Sequence, residues 1–182
     1  LPVEDDGDAR AVLERAALGA YSSAGRSEDR PGFAKEVQVA VGDAHVSDTA
    51  VRHSRVIAEA VHLSRDLGNT PPNILTPAAF ADRVVAETAD DPISVKVLGE
   101  EQLREGGFGG LIGVGQGSQD PPRMVVLDYH PSGAGRHLAI VGKGITFDTG
   151  GISLKPAGSM LGMKLDMSGA GTAFAAVRAA AR

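Results

Sequence analysis

Apolar residues recur at helical spacing through "DARAVLERAALGAYSSAG" and predict a helix that ends in a Ser/Gly-rich break. "KEVQVAVG" instead alternates apolar and polar positions and closes on Gly42, the pattern of a strand. From Ser47 to Leu67 one long amphipathic helix is expected. Ser47 is its candidate cap, and Val51, Ile57, Val61 and the neighbouring alanines are its candidate buried stripe. "GNTPPNILTP" then interrupts regular structure, because adjacent prolines restrict the backbone and remove donors. Thr76 caps the next predicted helix, with Pro77 in its first position and an end near Thr88.

"ISVKVLG" reads as a strand ending at Gly99, "EEQLREGG" as a short helix closed by glycine, and "GFGGLIGVGQGS" as a turn-helix-turn. Two β-branched runs follow, "RMVVLDYH" and "HLAIVGKG", separated by the turn "PSGAGR". Their nearly continuous apolar character predicts strands covered on both faces. "SGAGTAFAAVRAAAR" opens a helix whose small residues allow close packing. Alternating helices and strands give an α/β class, with a central, largely parallel or mixed sheet flanked by helices. No internal repeat or low-complexity tract interrupts it.

Composition narrows the picture. The 182 residues suit one ordinary domain, and 42% hydrophobic with 23% charged residues is a globular balance. A net charge of −5 argues against nucleic acid as the main partner, since duplex binding rests on basic surface. Without cysteine there is neither a disulfide framework nor a thiolate metal site. No apolar run approaches the roughly 20 residues that span a bilayer, and the acidic start "LPVEDDGDAR" lacks the basic region of a secretory signal. Cytoplasm is the expected address. The chain begins at Leu1 and ends in a helical pattern with no stop signal, so an excised piece of a longer protein is expected.

The chemistry concentrates in "VGKGITFDTGGISLKP", residues Val141 to Pro156, and in "MKLDM" just after it. Lys143, Asp148, Lys155 and Asp166 follow the last predicted strand, and in open α/β sheets ligands gather at the carboxyl ends of strands. Gly142, Gly144, Gly150 and Gly151 would let the backbone bend sharply and approach a ligand. The same residues also suit a solvated surface loop, and residue types alone leave both readings open. A phosphate-binding P-loop does not fit: His137 stands where its first glycine belongs, and Gly144 follows Lys143 where Ser or Thr is needed. "GVGQG" has the wrong spacing for a dinucleotide fingerprint. There is no HExxH and no G-x-S-x-G elbow. His45, His53 and His62 lie on or near the long helix, where surface or hydrogen-bonded core roles are expected.

"VGKGITFDTGGISLKP" with "MKLDMSGAG" closely resembles the metal-binding segment of the leucyl aminopeptidases, the M17 peptidase family. "DLGNTPPNILTP" and "GGLIGVGQGS" resemble further stretches of its catalytic domain. The likeness covers residues 44–182, as a linker helix and the first half of that domain; residues 1–43 would be the tail of a separate N-terminal domain. The resemblance implies a dinuclear-metal aminopeptidase that releases leucine-like N-terminal residues from peptides. It makes Lys143 a ligand of one ion, Asp148 a bridge between both, and Asp166 a ligand at the ion receiving the substrate amine. Lys155 would be the electrophilic catalytic residue and Met163 part of the side-chain pocket.

The implied ions are Zn2+ or Mn2+, with Mg2+ a third option, and the complete protein would add a bicarbonate and a homo-hexamer. A lysine binds metal only as the neutral amine, whereas oxyanion stabilisation needs the ammonium, so the two lysines require opposite protonation. The family's later motif Asn-Thr-Asp-Ala-Glu-Gly-Arg is absent here, and Ser168 stands where the family usually has glycine. Three ligands are too few for two ions, so weak metal binding and little hydrolysis are expected of these residues alone. A non-catalytic assembly module or a DNA-binding regulator related to the family is the alternative.

Overall fold

The computed structural model describes residues 3–23, 38 and 46–182. The chain divides into two units, Leu1–Asp66 and Leu67–Arg182. In the first, helix α1 (Asp6–Gly19) starts where the side chain of Asp5 accepts from the Asp8 amide at 2.9 Å. Helix α2 (Asp48–Asn69) starts at Ser47, whose Oγ accepts from the Ala50 amide at 3.2 Å. The expected cap is therefore in place. Ser47 also binds the Asp6 carboxylate, and Arg65 donates to the Leu18 carbonyl at 3.0 Å, so both ends of α1 are tied to α2.

The buried stripe of α2 differs from the expectation. Ala50, Ser54, Ala58 and Leu63 are buried and Val61 is half-buried, but Val51 and Ile57 are 38% and 40% exposed. Successive residues of a helix point about 100° apart. Once the small residues at 50, 54 and 58 face inward, Val51 and Ile57 are rotated out of that face. The strand expected at "KEVQVAVG" lies outside the described residues apart from Gln38, and so does His45.

In the second unit, Thr76 caps α3 (Pro77–Glu87), accepting from the Ala79 amide at 3.3 Å. Strand β1 (Ile93–Leu98) pairs antiparallel with β2 (Met124–Tyr129), Ile93 opposite Tyr129 and Leu98 opposite Met124. Between them come α4 (Glu100–Glu105) and α5 (Gly109–Gly115), with Leu103 fully buried. A short helix α6 (Ala157–Met160) and a 3-10 turn (Met163–Leu165) lead into α7 (Ser168–Ala181). Met167, Phe174 and Ala175 bury the inner face of this end of the chain.

The α/β class holds, but the sheet among the described residues is this one antiparallel pair, smaller than the central sheet expected. "HLAIVGKG" is not a strand here: Leu138 is 87% and Val141 94% exposed. A strand exists through its ladder partners, and among the described residues this run has none. No described helix is long and apolar enough to cross a membrane.

Candidate metal centre

Two close backbone contacts build the site. Gly142 lies against the first turn of α7, where a Cβ would collide with the Gly169 carbonyl and Ala170 Cα. Conversely, a Cβ on Gly169 would stand 3.0 Å from the Lys143 amide. The Ala170 amide donates to the Lys143 carbonyl at 2.8 Å, locking the two segments together. Only paired glycines permit this approach, and it carries Lys143 to Asp166, two residues before α7. The Lys143 Nζ sits 2.8 Å from both carboxylate oxygens of Asp166 and donates to Oδ1. Oδ2, although near the ammonium, is buried and receives no directed hydrogen bond.

The second contact is inside the loop. Gly150 adopts φ 96°, and a Cβ there would strike the Ser153 carbonyl. Its amide donates to Asp148 Oδ1 at 2.8 Å, while the Lys155 amide donates to the Thr149 carbonyl at 2.9 Å. The loop so cinched places Lys155 Nζ 2.7 Å from Asp148 Oδ2. The four residues predicted from sequence thus form two ion pairs.

The pairs also sense each other. The hydrogen bond to Asp166 raises the Lys143 pKa above its ordinary value; lost hydration opposes this, and the charges of Asp166 and then Asp148 add to it. The hydrogen bond from Lys155, then that from the Gly150 amide, holds the Asp148 carboxyl below the usual range, with the charges of Lys155 and Lys143 reinforcing it. In this state Lys143 is held as the ammonium.

One amine and two carboxylates suit a hard or borderline divalent ion, and the buried Asp166 Oδ2, which lacks a directed hydrogen bond, faces only the Lys143 amine that would share such an ion. Lys143 must lose its proton to join such a shell. Among the described residues no cluster of three or more His, Cys, Asp or Glu could hold a metal, so these donors fit part of a shell only. Met163, half-buried, opens the 3-10 turn that delivers Asp166. His53 is exposed, and the His62 ring lies 3.0 Å from the Ala17 carbonyl, the surface and hydrogen-bonded positions expected of them. Sequence reasoning did not single out Gly169; the small-residue run "SGAG" at the helix start was its signal.

Residues 62–182 match the model of the cytosol aminopeptidase family, catalytic domain. The chain belongs to this family. Within the cytosol aminopeptidase family, it is 51% identical over 186 residues to a probable cytosol aminopeptidase of Leifsonia xyli subsp. xyli, an alignment covering all of this chain and 37% of that relative. The chain therefore spans a little over a third of the curated relatives it matches. Among solved structures, leucyl aminopeptidase from Trypanosoma brucei in complex with bestatin is 32% identical, with a TM-score of 0.82 over 95% of this chain and 35% of its own. The bottromycin maturation enzyme BotP in complex with Mn is 41% identical, with a TM-score of 0.79 over 96% of this chain and 36% of its own.

Proposed function

We propose that this chain carries the first half of the active site of a dinuclear-metal aminopeptidase that releases leucine-like N-terminal residues from peptides. The observation that carries the reading is the pairing of Lys143 with Asp166 and of Lys155 with Asp148 within the family-matched region. A structural neighbour solved with Mn and another solved with bestatin support a metal and a peptide-like ligand.

Lys143, Asp148 and Asp166 would hold the ions, Zn2+ or Mn2+ with Mg2+ a third option. Bound ions supply Lewis acidity and an acidified water at neutral pH. Lys155 would be the electrophile: Asp148 orients its Nζ from 2.7 Å toward the negative charge that develops on the scissile carbonyl oxygen. Asp148 thus has two tasks, pairing with Lys155 through Oδ2 and offering the ions a carboxylate whose Oδ1 is fixed by the Gly150 amide. Met163 would line the pocket for the first side chain, favouring apolar groups. Residues 1–43 are read as the tail of an N-terminal domain and 44–182 as the linker helix with the first half of the catalytic one. Bicarbonate, a cytoplasmic homo-hexamer and the remaining ligands would belong to a protein of the relatives' full length.

Calorimetric titration of the chain with Mn2+ tests this directly. Weak binding is expected, lost in Asp148→Asn and Asp166→Asn, together with little or no hydrolysis of a leucyl chromogenic amide. In a protein of the relatives' full length, Lys155→Ala should lower kcat by about 10²–10³ with the metal content kept. Unchanged Mn2+ affinity in both carboxamide variants, or full turnover by Lys155→Ala, overturns the assignment.

A further inference from the structure

The turn after β2 gathers two histidines that the proposed active site does not use. The Ala134 amide donates to the Pro131 carbonyl at 3.2 Å, and Gly133 takes φ 80°, the left-handed value that lets the chain reverse. This reversal brings His130 and His137 to 6.0 Å between ring centroids, with planes tilted by 58°. Both are exposed, and neither ring nitrogen is hydrogen-bonded to another described residue. At that tilt the rings are neither stacked nor edge-to-face, so an aromatic contact gives little reason for the pairing.

Metal chelation does. An ion bound to two imidazole nitrogens at about 2.0–2.1 Å lies about 3.2 Å from each ring centre, so chelated ring centres stand about 4.5 Å apart at a right-angled N–metal–N, about 5.2 Å at a tetrahedral one and about 6.4 Å at a linear one. The observed 6.0 Å lies between the tetrahedral and linear values, so both exposed rings reach one ion by rotation about their side-chain bonds. We propose that His130 and His137 form a two-nitrogen chelate for a borderline divalent transition ion, Cu2+ foremost, then Ni2+ or Zn2+.

Among the described residues no cluster of three His, Cys, Asp or Glu forms here, so water or a solute completes the shell and the ion exchanges readily. The donor set separates this site from the lysine–carboxylate loop: two imidazoles and no carboxylate disfavour Mn2+ and Mg2+. A bound ion would staple residue 130 to residue 137 and stabilise the turn by mass action.

Electron paramagnetic resonance of the unmodified chain with one equivalent of Cu2+ is expected to show coupling to two imidazole nitrogens. In Cu2+ titrations, His130→Gln and His137→Gln should each weaken binding at least about tenfold, about 1.4 kcal/mol, and the double variant should be no worse than either. His53→Gln, on an exposed position of α2, should keep the parental affinity. A single-nitrogen spectrum, parental affinity in either turn variant, or equal loss in His53→Gln overturns the proposal. The spectrum needs no substitution, so a variant that fails to fold does not stop the test.

Discussion

Lys143 and Lys155 carry the same charge twelve positions apart, and their partners are set by backbone geometry rather than by distance along the chain. Lys143 has Asp148 five residues away yet pairs with Asp166, because the Gly142–Gly169 contact carries it to α7. The spacing of these residues was legible in the sequence; this choice of partners was not, since it depends on a tertiary contact between two side-chain-free positions. Gly142→Ala should therefore cost about 1–3 kcal/mol and weaken Mn2+ binding as well, read by thermal unfolding and calorimetry. Gly150→Ala, forced to hold φ 96°, should cost a similar amount, about 1–3 kcal/mol, and loosen the Asp148–Lys155 pair. A cation entering between Lys143 and Asp166 has to evict an ammonium. Sodium or potassium brings no more charge than the group it would displace, so about 0.1 M of either should compete with Mn2+ only through screening.

Helix ends were readable because capping is local: Ser47 and Thr76 each accept from an amide three residues on, as their side-chain chemistry dictates. The face of α2 was less readable, because the size of Val51 and Ile57 suggested burial while the buried face is built from Ala50, Ser54 and Ala58 instead. Helix α7 shows an element held by charge as well as by its buried face. Arg178 pairs with Glu87 at 3.0 Å and with Asp91 at 3.0 Å, and Arg182 reaches Asp91 at 2.7 Å. Burial opposes ionisation of Asp91, but hydrogen bonds and charge from Arg182 and Arg178 outweigh it and hold the carboxyl below its ordinary 3.8. A depressed folded pKa lends stability that is complete above pH 3.8 and disappears as the pH falls through the folded value. Asp91→Asn should cost about 1–3 kcal/mol at neutral pH and flatten the acid limb of the stability profile, measured by denaturant unfolding between neutral and acid pH.

At the scale of the whole molecule, the apolar run after the 131–136 turn is the feature that sequence patterning misjudged. β-branched residues announced a covered strand, and pattern alone cannot say which segment does the covering. Leu138, Val141, Ile152, Leu154 and Leu161 are each at least two-thirds exposed, within a chain spanning 37% of its relatives' length. Strong fluorescence of an apolar dye is expected at neutral pH without denaturant, and Leu138→Lys/Val141→Lys should reduce it without lowering the unfolding midpoint. That wetted hydrocarbon also governs how the protein tolerates its solvent. Salting-out agents such as sulfate raise the cost of hydrating it. The chain should precipitate at less ammonium sulfate than a protein of equal size whose β-branched residues are enclosed, and sucrose, excluded in the same way, should promote self-association.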